Sequence, residues 1–277
     1  MKQEPSPRRP SGPVPAAADG LLTGAPAAQP SRRVLIWEIV IVLALSLGRS
    51  GVNALINLID LASRGPIGDG VASLNGSASA RPWIDLAYQL SGIVFSLAPV
   101  ALVIWLLARW PGGNPLRRLG LDFTRWWPDL RQGVVLFLAI GVGTLGLYAG
   151  GRALGITTAI STNGLGEYWW TIPVLILAAL RNGLLEEVIV VGYLMERLER
   201  LGWRTWSILL SSALLRGSYH LYQGVGPFIG NAIMGLIFGW LYLKKRRVAP
   251  LVIAHTLLDV AGFVAYPLLA SAFGYGS

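Results

Sequence analysis

Apolar residues along this chain come in long runs, not in the short alternations of a soluble fold. A membrane-spanning helix needs about 20 mostly apolar residues. Runs of that kind occupy 34–59, 84–108, 131–151, 168–194, 205–222, 227–243 and 248–272. They predict an all-α integral membrane protein with about seven transmembrane helices. The first run is long and carries Arg49 in its middle, which predicts a span followed by an amphipathic segment. The fifth and sixth runs are short, and the link from Gln223 to Pro227 carries no charge. That predicts a hairpin turning below the membrane surface, where non-helical backbone is tolerated because protein buries it.

Residues 1–31 are of different material, rich in Pro, Ala, Gly and Ser and without apolar periodicity. They predict a disordered cytoplasmic tail ahead of a single membrane domain over 32–277. No apolar core follows Lys2 promptly, so the tail does not read as a secretory signal.

Composition agrees with lipid as the solvent. The chain is 53% hydrophobic and 13% charged, against roughly 25% charged in a soluble domain. It has no cysteine, which excludes disulfides and thiolate metal sites. The net charge of +9 raises nucleic acid as a partner, but the basic residues cluster at the ends of apolar runs, where topology places them. Lys2, Arg8, Arg9, Arg32, Arg33, Arg109, Arg117, Arg118, Arg125, Arg131, Arg197, Arg200, Arg204, Lys244, Lys245, Arg246 and Arg247 fall on one side; Arg64, Arg81 and Arg152 fall on the other. The asymmetry predicts a multi-pass protein of the cell membrane with a cytoplasmic N-terminus and an external C-terminus. Its partners are then the lipid bilayer and a membrane protein or peptide, not nucleic acid. Trp110, Trp126, Trp127, Trp203 and Trp206 fall near the basic ends, where indole rings favour the interface.

Ionisable residues at membrane depth are costly and read first as functional. The fourth run has Arg181, Asn182, Glu186 and Glu187; the fifth has Arg216 and His220; the sixth has Asn231; the seventh has His255 and Asp259. The first three runs offer only Glu38 and Arg49. Chemistry is therefore expected in a polar cavity formed by the last four helices. His255 and Asp259 are four apart and share a helix face. Glu186 and Glu187 point about 100° apart and so take different roles. Asn231 fits helix–helix glue as well as substrate contact. Tyr219 and Tyr222 read as interface anchors. Counting from expected helix ends puts Glu186 (from Tyr193) and His255 (from Ala249) on the order of 10 Å deep but His220 (from Trp206) roughly 21 Å deep, a mismatch for one site. A purely structural polar network is the competing reading.

The stretch LLEEVIVVGYL around Glu186 and Glu187 resembles the first motif of the CPBP family, the CAAX prenyl endopeptidases and bacteriocin-processing (Abi) proteins. That motif is Glu-Glu followed after three residues by Arg and Gly. The second motif, Phe-x-x-x-His, is similar to Arg216–His220, and the third, His-x-x-x-Asn/Asp, to His255–Asp259. The resemblance covers about 120–270. Val191 stands where the motif has Arg, and Arg216 stands where it has Phe. The two changes predict compensation, with Arg216 reaching Glu187 or Glu186 and Arg181 as a poorer-spaced rival.

The resemblance implies an intramembrane endopeptidase. Glu186 with His220 would activate a water, and His255 with Asp259 would support the oxyanion or position the substrate, with Glu187, Arg216 and Asn231 supporting. The spacings His-x-x-x-His and His-Glu-x-x-His are both absent, which favours glutamate catalysis with no cofactor. The alternative is zinc on Glu186, His220 and His255. A non-catalytic scaffold or immunity-type protein binding a partner through the same cavity is the runner-up function. A transporter using Glu186 and Asp259 as proton carriers would call for internal repeats that the chain does not show.

Overall fold

The computed structural model describes residues 30–110, 113–161 and 168–267. Most of the N-terminal tail and the C-terminus, on which expectations of disorder and orientation were placed, lie outside the described residues.

The first run folds as two helices, α1 (Arg32–Ala44) and α2 (Leu47–Arg64), bent by 53°. At the bend the Ser46 hydroxyl donates to Val42 O at 2.6 Å, a local bond that competes with helix continuation. A Cβ added at Gly48 would come within 2.7 Å of Leu43 O, so the bend depends on that glycine. α3 (Pro82–Ser96) and α4 (Ala98–Ala108) form one apolar stretch. The amphipathic link follows with α5 (Pro115–Leu119), then α6 (Trp126–Ala153). α7 (Thr171–Glu186) continues without a break through an i→i+5 bonded stretch, Glu187–Leu194, into α8 (Met195–Arg200). α9 (Thr205–Ser218), α10 (Val225–Lys245) and α11 (Ala249–Val260) complete the bundle, and Ala261–Ala265 prolong α11 as a second i→i+5 stretch.

Among the described residues, three helical stretches are long and apolar enough to cross a membrane: Pro82–Ala108, Phe123–Ala153 and Val225–Lys245. The bent pair α1–α2 makes a fourth if it is one span, and Ala249–Ala265 is shorter. The helical membrane class thus stands. The fourth and fifth runs fall outside this group. The helix of the fourth carries Arg181, Glu186 and Glu187, and α9 stops at Ser218 before its run ends.

Two strands depart from the all-α expectation. β1 (Val71–Ser73) and β2 (Ala159–Ser161) pair in parallel, with Ala72 opposite Ile160. They lie at the end of the bundle opposite the basic loops.

The i→i+5 stretch is the centre of the core. Val188, Ile189, Val190, Val191 and Tyr193 are fully buried, packed against α4, α9 and α10. At the basic end, ion pairs tie the helices together. Arg247 bonds Asp129 at 2.5 Å and Asp122 at 3.0 Å. Arg246 grips both oxygens of Glu199 at 2.6 Å, Arg118 pairs with Glu196, and buried Arg197 reaches Glu38 at 3.1 Å. The Thr124 hydroxyl, and then Arg247, hold the Asp122 carboxyl below the usual carboxylate range. Trp110 is half-buried and donates to Glu38 at 3.2 Å, so it serves this clamp as well as the interface. Val248 N and Ala249 N donate to Leu119 O and Gly120 O at 2.8 and 3.2 Å, which starts α11 against the α5 segment. Gly120 has φ +61, and a Cβ there would sit 2.5 Å from Arg247 Cα.

Candidate active site

The continuity of α7 through α8 resolves the depth mismatch. The helix ends at Arg200, not near Tyr193, so Glu186 lies about 21 Å from the basic end, level with His220 counted along α9. His255 joins them by contact, its Nε2 3.9 Å from Glu186 Oε2.

Glu186 closes α7 and Glu187 opens the i→i+5 stretch, so the two carboxylates diverge. Irregular turns of this kind are frequent at functional sites. Glu187 is fully buried. One of its oxygens, Oε1, takes both an ion pair from Arg216 and the ring nitrogen Nδ1 of His255 at 2.6 Å. Arg216, also fully buried, has Nη1 3.9 Å from Glu186 Oε2 and lies over the Phe238 ring at 5.4 Å. The guanidinium therefore comes to Glu187 from the neighbouring helix. Arg181 instead approaches Ser96 Oγ at 3.4 Å.

Glu186 is 7% exposed and turns to the other side. Its Oε2 accepts from the Tyr219 hydroxyl at 2.7 Å. His255 Nε2 stands 3.9 Å from that oxygen and 3.8 Å from Asp259 Oδ1. Asp259 Oδ2 accepts from Asn182 Nδ2 at 2.7 Å. His220 sits in the turn after α9, its backbone N bonded to Gly217 O at 3.0 Å. Neither of its ring nitrogens has a hydrogen-bond partner among the described residues. Buried ring nitrogens without a partner are costly, and here the ring faces a cavity.

That cavity holds about 240 Å³ and is lined by Asn182, Glu186, His220, Tyr222, Asn231, His255 and Asp259, with Thr144, Leu147 and Tyr148 from α6 and Leu74 and Ile160 from the strand segments. It thus takes in all four residues on which the resemblance puts chemistry, and its walls extend beyond the last four helices. Asn231 donates to Pro227 O at 3.0 Å within its own helix.

The sequence reading took Tyr219 for an interface anchor and noted Asn182 at membrane depth without giving it a role. Tyr219 is no interface anchor: it is 5% exposed and holds Glu186. Asn182 orients Asp259 across helices. The signal for both was proximity: Tyr219 adjoins a buried histidine, and Asn182 precedes Glu186 by one helical turn.

The zinc alternative would rest on Glu186, His220 and His255. Among the described residues no group of three or more His, Cys, Asp or Glu is placed to hold a metal ion. His255 Nδ1 is engaged by Glu187 and Glu186 Oε2 by Tyr219.

Fold and site together define a helical membrane protein built around a buried acid–histidine cavity. Residues 168–261 match the family model of the type II CAAX prenyl endopeptidases, Rce1-like. The match bears out the family resemblance read from the motifs. It takes in Glu186, Glu187, Arg216, His220, Asn231, His255 and Asp259 and leaves α1 to α6 outside. No curated protein and no solved structure matches the chain.

Proposed function

We propose that this chain is an intramembrane endopeptidase that hydrolyses a peptide bond in a membrane-associated protein or peptide. In this reading it crosses the cell membrane about seven times, with the N-terminus cytoplasmic and the C-terminus external. The observation that carries the reading is one cavity shared by the Glu186 carboxylate and the His220 ring, whose nitrogens have no partner among the described residues.

The groups support a water-activating mechanism. Glu186 takes a proton from a water held between it and His220, and the water oxygen attacks the scissile carbonyl carbon. Glu187 fixes the His255 ring through Nδ1 and so presents Nε2 to the cavity. Doubly protonated, His255 donates Nδ1–H to Glu187 and Nε2–H to the tetrahedral oxyanion. Asp259, oriented by Asn182, balances that charge from 3.8 Å. On collapse, the proton on Glu186 passes to the leaving amine and the C–N bond breaks. Arg216 pairs with Glu187 and holds it in place.

The test compares membrane proteomes from cells expressing wild type and Glu186→Ala. Peptides with new termini are expected only with wild type. Identical termini in the two would remove the protease reading and favour a partner-binding protein, the reading that Val191 in place of the motif Arg supports. Cleavage is expected to persist in chelator; loss restored by zinc would reverse the assignment of glutamate-only catalysis. Tyr219→Phe is expected to slow cleavage roughly 10-fold, because the carboxylate loses a charge-assisted hydrogen bond. An unchanged rate would leave Tyr219 a packing residue.

A further inference from the structure

Two parallel strands of three residues are marginal on their own, yet this pair stands at the rim of the cavity. Ala72 is opposite Ile160, and strand alternation puts Leu74 on the same face as Ala72. Leu74 and Ile160 both line the cavity that holds Glu186 and His220. The backbone points elsewhere. Ala159 N donates to Gly70 O and Leu74 N to Ser161 O, each at 2.9 Å, so residues 159 and 161 pair with β1. Alternation then directs the N–H and C=O of Ile160 to the opposite edge.

That edge already serves as a ladder. Thr158 N donates to Gln223 O at 3.0 Å, and Thr157 bridges antiparallel to Gly224. Gln223 ends the short turn that begins after His220. The next rung along, at Ile160, has no strand beside it among the described residues. Beside it opens an apolar chamber of about 410 Å³ between α6 and the end of α11. The chamber and the catalytic cavity share Leu74, Ile160 and Leu258.

We propose that the free edge of β2 at Ile160 is the substrate-docking edge. A locally extended segment of a membrane-embedded polypeptide adds there as a strand and sets a large apolar side chain into the adjoining chamber. This rests on the endopeptidase reading and names the form in which its substrate binds. In a helix the scissile carbonyl is bonded and shielded, and an opened segment in lipid carries unsatisfied backbone groups at a cost of several kcal/mol each. A sheet edge supplies replacement partners, and alternate side chains then set specificity. Continuity with the His220 turn makes the polypeptide, not a lipid chain, the occupant: lipid has no N–H or C=O ladder to match the Ile160 backbone. The substrates are membrane segments of weak helical propensity with a large apolar residue near the cut.

The experiment uses the full chain and membranes of the expressing host, comparing new termini for wild type, Glu186→Ala, Ile160→Val and Ile160→Pro. Proline removes the edge N–H, which β1 does not use, while Val retains it. Both variants alter the wall at 160, so the reading is the difference between them: termini are expected to fall roughly 10-fold further for Ile160→Pro than for Ile160→Val, from the lost hydrogen bond and the ring at the docking edge. Melting in detergent checks folding. If the proline variant is unfolded, the α-hydroxy acid analogue of isoleucine at 160 removes the same N–H without a ring, with a fall of roughly 3- to 10-fold expected. Full cleavage by the folded N–H-less variant, with none by Glu186→Ala, overturns edge docking and leaves the protease reading standing. The same termini with Glu186→Ala as with wild type overturn both. Sequences around the cuts without a recurring large apolar residue overturn the chamber's part.

Discussion

Glu186→Gln is expected to abolish cleavage, by roughly 10³-fold or more, while the protein keeps its fold. Removing a positioned general base costs about 10²–10⁴-fold, and no second carboxylate is free to take over. Glu187 is held by Arg216 and His255, and Asp259 by Asn182. Glutamine preserves volume, and its carbonyl oxygen still accepts from Tyr219, so packing around α7 survives. The measurement is turnover of a synthetic peptide carrying a cleavage sequence found in membranes, alongside melting in detergent. A folded Glu186→Gln protein with full turnover would sink the glutamate mechanism.

Arg216→Phe is expected to destabilise the protein by about 3–5 kcal/mol, the usual result of removing one partner from a buried ion pair. Both partners are fully buried. Glu187 would keep only His255, and its Oε2 already lacks a hydrogen bond among the described residues. Phenylalanine is the residue that the family motif carries there, so size is not the difficulty; the orphaned charge is. Val191→Arg alone is expected to destabilise as well, because Val191 is fully buried in the core and the new cation would compete with Arg216. The double variant is expected to recover most of the loss, because Arg at 191 lies about one helical turn from Glu187 and supplies the missing charge. Denaturation of all four proteins gives the coupling energy directly. Additive losses, with no recovery in the double variant, would show that the two substitutions are unrelated.

Much of the site was legible in the chain because lipid makes polar residues conspicuous. Glu186, His220, His255 and Asp259 stood out as costly residues in apolar runs, and their order and spacing carried the family resemblance. The exchange of Arg216 for the motif Phe and of Val191 for the motif Arg was visible too, and electrostatics predicted their link. The roles of Tyr219 and Asn182 were not legible. Tyr219 read as an interface anchor and Asn182 only as a polar residue at depth, because what each does lies in an oxygen 2.7 Å away on another helix.

Hydropathy and buried charge, then, were enough by themselves to settle the helical membrane class and the residues worth following, since both follow from transfer of single side chains out of water. Only the tertiary structure decided where those residues lie relative to one another. The unbroken helix through Arg200 brought Glu186 level with His220, the i→i+5 turn sent Glu186 and Glu187 to different partners, and the α5 segment fixed the start of α11. Two three-residue strands, too short to show as a period in the sequence, put Leu74 and Ile160 on the cavity wall. Helix ends, irregular turns and isolated strands depend on contacts between distant parts of the chain, and no local pattern encodes them.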